Sequence, residues 1–259
     1  MFEIVVGVSL FIASIYDLKT TEIPDEIPIF LISLGIFLVV FDLILFKDLS
    51  KLTNTIIVGL VFSVFCILMY YGGHWGAGDS ALLASIAFLY PNFSFLFKYL
   101  INLIIFGSFF MVAFSVVFCY LYSKKVFKKF SIEQKKLKYL YISLLLLGLV
   151  SFIILKNKFL LIYSIVLTLA IMTINFCIIV EKYGFKKRIR VDKLKVGDVL
   201  VSFKRWRGIT EKEIEAIKKS GKTFVTIKEG VRFAPAFLIA YLYTILTNEA
   251  ILFNYLIVW

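Results

Sequence analysis

The sequence predicts an all-α polytopic membrane protein, a bundle of six to eight transmembrane helices with a small α+β cytoplasmic insert before the last helix. Composition is the first observation: 61% of the 259 residues are hydrophobic and 18% are charged, whereas a soluble globular domain has about 45–50% apolar and about 25% charged residues. The second observation is a series of apolar runs, several of them long enough to cross a bilayer. The third is that the basic residues concentrate in alternate connections between those runs.

The apolar runs define eight candidate membrane spans. They are residues 1–16, 28–46, 55–71, 80–90, 95–122, 139–155, 159–180 and 234–258. The fourth run is short, follows a glycine cluster and ends at Pro91. We therefore expect its start to lie in a protein-lined cavity, where irregular backbone is tolerated at membrane depth.

The positive charges predict how these spans are oriented. Of the 29 Lys and Arg residues, 24 lie in three connections, 17–27, 123–138 and 181–233, and five lie in the connections of the other side. Because Lys and Arg are enriched in cytoplasmic loops, these connections and the short one at 72–79 are predicted to face the cytoplasm. The net charge of +12 is then explained by topology and by attraction to anionic membrane lipids, and no nucleic-acid partner is predicted.

The extended polar segment 181–233 predicts a small α+β unit. Lys195–Phe203 alternates like a strand, and Thr223–Lys228 is a second β-like run. Between them, Thr210–Glu213 has the capping-box pattern that starts a helix, and we expect that helix to end at Gly221.

Two aspartates at the membrane boundary are the candidate catalytic residues. Asp17 ends the first span and Asp79 opens the fourth, so both are predicted to face the cytoplasmic side. Carboxylates at membrane depth are functional candidates because burying an isolated charge is costly. Two converging carboxylates resist joint ionisation and can act as general base and general acid on a water molecule. Such a pair needs no metal or cofactor, and a chain with one histidine and no paired cysteines is not expected to form a zinc site.

The residues around both aspartates form recognisable motifs. Asp17-Leu18-Lys19 followed by Ile23-Pro24-Asp25 resembles the first motif of the type IV prepilin peptidases, D-x-[RK] and then I-P-[ND]. Gly76-Ala77-Gly78-Asp79 resembles the second, the G-x-G-D motif of membrane aspartyl proteases, in which glycine lets a substrate strand approach closely. Phe233-Ala234-Pro235 is similar to the start of the last helix in archaeal members, the preflagellin (prearchaellin) peptidases. The lysine that often follows the second motif is missing, as are the paired cysteines of bacterial relatives.

The resemblance implies a membrane aspartyl endopeptidase that removes the short basic leader of type IV prepilin-like proteins or prearchaellins at the cytoplasmic membrane face. It implies Asp17 and Asp79 as the catalytic pair. The residues expected to shape the site or bind substrate are Gly76, Gly78, Lys19, Glu22, Pro24, Asp25 and Pro235. Among them, Lys19 could favour ionised Asp17, and the loop acids Glu22 and Asp25 could meet the basic part of a leader.

The predicted domain organisation follows from the apolar runs and the polar segments between them. It consists of a transmembrane catalytic core at 1–122, a basic cytoplasmic loop and two further helices at 123–180, the α+β insert at 181–233 and the final transmembrane helix at 234–259. Three alternatives remain open at this point. They are an ion- or proton-coupled transporter that uses the same aspartates, a presenilin-like intramembrane protease, and a structural or lipid-binding membrane protein.

Overall fold

A computed structural model describes residues 2–47, 49–122, 124–156, 158–202, 208–228 and 230–251. Its helices are α1 (Phe2–Thr20), α2 (Glu26–Phe46), α3 (Leu49–Tyr71), α4 (Ala77–Leu89), α5 (Phe93–Tyr122), α6 (Lys125–Leu155), α7 (Lys158–Ile179), α8 (Glu211–Lys219) and α9 (Ala234–Thr247). Its strands are β1 (Lys186–Arg190), β2 (Val199–Leu200) and β3 (Phe224–Lys228), and they form one sheet in the order β1-β3-β2.

The mostly helical, membrane-spanning architecture is confirmed. Across the described residues, five helices are long and apolar enough to cross a membrane, namely α2, α3, α5, α6 and α7, the last extended by a single π-helical turn to Gly184. The helices α4 and α9 are apolar but shorter, with 13 and 14 residues. Helix α1 has 19 residues and carries Glu3, Asp17 and Lys19.

Two of the expected boundaries are wrong. The basic segment at 123–138, expected as a loop, is helical from Lys125 onward, because its seven Lys residues favour helix and it contains neither Gly nor Pro. The last apolar run, expected to be helical over 234–258, ends its helix at Thr247, where Asn248 takes a left-handed conformation with φ of 51°. Residues 252–259 of that run lie outside the described part of the chain.

The insert is confirmed as a small α+β unit, with different strands from those expected. Among the described residues of the expected strand Lys195–Phe203, Val199 and Leu200 are in β2, and Gly197 turns the chain just before them with φ of +96°. Phe203 lies outside the described part of the chain. The strand β1 was not predicted, because its consecutive cations give no visible alternation of polar and apolar residues. Helix α8 has the predicted capping box, in which the Thr210 side chain accepts from the Glu213 N–H and the Glu213 side chain accepts from the Thr210 N–H.

The chain forms two compact units. The first combines Met1–Met111 with Arg188–Trp259, and the second is Val112–Lys187. In the first unit α4 packs between α2 and α3, and α1 packs against α9. In the second, α6 and α7 pack along each other, with Gly148 so close to Ser164 that a Cβ at position 148 would collide with the serine side chain. Small residues at such contacts are typical of helix pairs in membranes.

Buried polar contacts hold the second half of α9 in the first unit. Asn102 Nδ2 on α5 donates to Thr244 Oγ1 and to the Glu249 carbonyl oxygen, both at 2.9 Å, and Asn102 Oδ1 accepts from the Ile251 N–H at 2.9 Å. Tyr241 Oη donates to the Glu3 carbonyl oxygen of α1 at 3.0 Å. Helix α9 is therefore fixed at the end opposite to Asp17.

Replacing Asn102 by Ala is expected to lower the thermal unfolding midpoint of the purified protein. The substitution leaves buried donors and acceptors unpaired, at a cost of about 1–3 kcal/mol. Ser108→Ala on the same helix is the matched control, because the exposed Ser108 hydroxyl bonds only within its own helix, to the Ile104 carbonyl oxygen at 2.6 Å. Equal midpoints for the two variants would show that the Asn102 contacts do not hold α9.

Candidate active site

Asp17 lies in the last turn of α1 and meets the first residue of α9. Its side chain is buried, with 5% of its surface exposed, and Oδ2 accepts a hydrogen bond from the Ala234 N–H at 2.8 Å. That N–H has no partner within α9, because the first amides of a helix lack an acceptor in the preceding turn. Pro235, which follows, is half-buried in the first turn, where its lack of an N–H breaks no helical hydrogen bond. The start of α9 thus holds the Asp17 carboxylate.

Asp79 is the third residue of α4 and is half-buried. Its carboxylate lies close to the backbone of Gly76, the residue that caps the helix, and interacts with that backbone. A side chain that reaches back from the third helical position to the cap is the second half of a capping box. A Cβ at position 76 would lie 3.2 Å from Asp79 Oδ2. The spacing of Gly76 and Asp79 therefore fixes the carboxylate, and glycine leaves room for it.

The second glycine of the motif, Gly78, serves a different contact. A Cβ at position 78 would lie 3.0 Å from Ile23 Cβ, in the loop between α1 and α2. Gly78 therefore allows the start of α4 to pack closely against the loop that follows Asp17. The two motifs are in direct contact through Ile23 and Gly78, and the Asp17 and Asp79 carboxylates interact electrostatically.

Aromatic side chains join the glycine loop before α4 to the start of α9. The Trp75 ring lies edge-on to Phe65 of α3 and to Phe237 of α9, with ring centroids 6.0 and 6.3 Å apart. Phe233 lies edge-on to Phe237 at 5.8 Å, directly before the Ala234 amide that holds Asp17. These rings anchor the backbone on both sides of the carboxylate pair.

Lys19 and Arg232 differ in their relation to Asp17. Lys19 is exposed and lines an open groove on α1 together with Ile12, Ile15, Tyr16 and Thr20. Arg232, two residues before α9, is half-buried and interacts electrostatically with Asp17. Sequence reasoning missed Arg232. The one available signal was an isolated cation just before the last apolar run.

The other residues of the first motif lie in the loop after α1. Pro24 is half-buried, and its carbonyl oxygen accepts from the Ile27 N–H at 3.1 Å as α2 begins. Glu22, Asp25 and Glu26 are exposed, and we name these three the acidic rim. The Glu22 carboxylate lies against Gly197 of the insert, in the space that a Cβ there would need. Among the described residues, no group of three or more His, Cys, Asp or Glu side chains is placed to hold a metal ion.

Comparison with known proteins adds a relationship for the segment that carries both aspartates. Residues 4–122 match the model of the type IV leader peptidase family. A preflagellin peptidase of Methanococcus maripaludis is 33% identical to the chain over 94 residues, which are 36% of this chain and 40% of that protein. The chain therefore matches less than half the length of this curated relative. No significant match was found among solved structures.

Proposed function

We propose that this multi-pass membrane protein, whose residues 4–122 match the model of the type IV leader peptidase family, is an aspartyl endopeptidase. Its substrates are type IV prepilin-like proteins or prearchaellins (preflagellins), from which it removes the short basic leader. One observation supports this most strongly: Asp17 and Asp79 come from different helices and interact with each other, Asp17 is held by the Ala234 N–H, and Asp79 lies against the backbone of Gly76.

The proposed mechanism uses the two carboxylates as a base and an acid. Because two interacting carboxylates resist joint ionisation, one is ionised and the other protonated. The ionised carboxylate takes a proton from a water molecule as the water oxygen attacks the peptide carbonyl carbon, and the protonated partner gives its proton to the carbonyl oxygen. Proton transfer to the leaving nitrogen then breaks the C–N bond and releases the leader with a new carboxyl group.

The proposed topology places this chemistry at the cytoplasmic membrane face. It adds the shorter helices α1, α4 and α9 to the five long ones as membrane spans. Residues 17–27 and 181–233 then lie on the same side, which holds 24 of the 29 basic residues, and cytoplasmic loops are the ones enriched in Lys and Arg. Asp17, Asp79 and the start of α9 are at that side.

The acidic rim is proposed to bind the basic part of the leader. Glu22 and Asp25 follow Asp17 within eight residues and are exposed, so cationic side chains of a leader can reach them. Opposite charges at an exposed site contribute modest affinity and favour the correct orientation of approach. The rim would therefore affect substrate binding more than bond cleavage.

Replacing Asp25 by Asn is expected to raise KM for a basic leader by about two- to fivefold, because exposed ion pairs contribute about 0.2–1 kcal/mol. The kcat is expected to change little, because the Asp25 side chain does not contact the reacting atoms. Asp192→Asn is the control, since Asp192 is an exposed acid of the insert that pairs with Arg190 at 3.1 Å. An equal KM for the two variants, or a leader without cations that is bound as well as the basic one, would contradict the assignment.

The function itself is tested by incubating the purified protein in detergent with a set of prepilins and prearchaellins. Mass spectrometry would identify the product. We expect removal of the leader on the cytoplasmic side of the hydrophobic segment in at least one precursor class, and that class names the substrate. A folded protein that leaves every precursor intact would overturn the proposal.

A further inference from the structure

The insert contains a hydrogen-bonded turn centred on Gly197. The Gly197 N–H donates to the Ile209 carbonyl oxygen at 3.1 Å, and the Ile209 N–H donates to the Asp198 carbonyl oxygen at 2.9 Å. Gly208 packs on this turn so closely that a Cβ there would lie 2.6 Å from Gly197 Cα. Ile209 is buried in the apolar core of the insert. The turn is therefore tied to the body of the insert.

The turn touches the loop that follows Asp17. The Glu22 carboxylate fills the space beside Gly197 that a Cβ would occupy. Gly197 has φ of +96°, a conformation that other residues adopt only with strain. Position 197 thus requires glycine for two reasons, and one of them is the contact with Glu22.

From Glu22 the contacts continue to Asp79. Ile23 is the next residue in the chain, and its side chain lies 3.0–3.3 Å from where a Cβ would be at Gly78, which directly precedes Asp79. A displacement of Glu22 would therefore move Ile23 and, through the contact of Ile23 with Gly78, the carboxylate of Asp79.

A second connection runs from the insert to Asp17. Strand β3 ends at Lys228, and α9 begins at Ala234, whose N–H donates to Asp17 Oδ2 at 2.8 Å. Arg232 lies in this short connection and interacts electrostatically with Asp17. The insert is thus linked to Asp79 through Glu22 of the acidic rim, and to Asp17 through the start of α9.

We propose that the insert is a positioning element of the carboxylate pair, and that Gly197 acts as a positioning residue through Glu22 and Ile23. This inference rests on the proposed peptidase function and extends it to the regulation of that same site. Loss of positioning and loss of the rim charge should then change different kinetic constants. A positioning residue changes kcat, because reacting groups that are misplaced by fractions of an ångström lower the rate of the chemical step, whereas loss of the rim charge changes KM.

A double-mutant cycle tests the inference, with kcat for leader cleavage as the readout. Gly197→Ala is expected to lower kcat about tenfold or more. In the Glu22→Ala background the same substitution is expected to have a much smaller effect, because the side chain with which the new methyl group collides is gone. Gly221→Ala is the matched control: Gly221 also has a positive φ, 71°, but no atom of the described residues lies within 4 Å of a Cβ built there, so this variant reports backbone strain alone.

The results separate the inference from the proposed function. Cleavage by the wild type establishes the function independently of any variant. Equal kcat values for Gly197→Ala and Gly221→Ala, or an equal loss from Gly197→Ala with and without Glu22, would overturn the inference and leave the function intact. If Gly197→Ala fails to fold by thermal unfolding, Ile23→Ala tests the same connection at the Gly78 contact. An unchanged kcat in that variant would also overturn the inference.

Discussion

Replacing either Asp17 or Asp79 by Asn is expected to abolish leader cleavage while the protein remains folded. Asn keeps the shape of Asp, and at position 17 it can still accept the hydrogen bond from Ala234, but it neither takes a proton from water nor gives one to the carbonyl oxygen. Acid–base catalysis contributes about 10²–10⁴-fold to such reactions, so each variant should lose at least about a hundredfold in initial rate. Leader release is measured by mass spectrometry, and folding by the thermal unfolding midpoint.

The control and the double variant sharpen this result. Asp42 lies near the opposite end of α2 from the acidic rim, where it pairs with Lys51, so Asp42→Asn should cleave at nearly the wild-type rate. Because catalytic groups that act as a unit are strongly non-additive, the Asp17→Asn/Asp79→Asn variant should be little slower than either single variant. Losses that multiply would indicate that the two aspartates act independently.

Gly76→Ala is expected to lower kcat by about 10–100-fold, since small misplacements of a catalytic group have effects of that size. The new Cβ would lie 3.2 Å from Asp79 Oδ2, which is its one close contact among the described residues beyond its neighbours in the chain. The backbone at Gly76 has φ of −71° and ψ of 163°, which alanine adopts without strain, so the carboxylate must shift while the fold is retained.

Gly230→Ala is the control, because the methyl group that it adds meets no close neighbour among the described residues. Within the described part of the chain nothing lies within 4 Å of a Cβ built at Gly230, so this substitution should leave kcat near the wild-type value. Steady-state kinetics with one precursor would compare the variants. A Gly76→Ala protein with the kcat of Gly230→Ala would show that the Gly76 contact does not set the position of Asp79.

The helical membrane architecture could be predicted from the sequence because the apolar runs are long and the basic residues are concentrated in alternate connections between them. The aspartates were identifiable for a related reason: Asp17 and Asp79 are acids at the ends of apolar runs, and each is followed or preceded by residues with recognisable spacing. Local patterns also predicted the capping box of α8, which depends on residues three apart and on nothing else.

Contacts between distant parts of the chain could not be predicted. The bond between Asp17 and the Ala234 amide joins residues 217 positions apart, and no local pattern indicates that an amide of α9 meets α1. The same holds for Gly78 on Ile23 and for Gly197 on Glu22, where the absence of a side chain is the feature that matters. The approach of a substrate strand to the motif glycines stays a prediction; the structure adds that Gly76 and Gly78 make room for Asp79 and Ile23.

The most direct test of the central claim is the intact mass of one basic-leader precursor after incubation with the wild type, Asp17→Asn or Asp79→Asn. The dyad predicts that the wild type alone converts the precursor into two products, the leader and the shortened protein, whose summed mass exceeds the precursor by one water molecule. The same cleavage by either Asn variant at the wild-type rate would contradict the assignment of Asp17 and Asp79 as the catalytic pair.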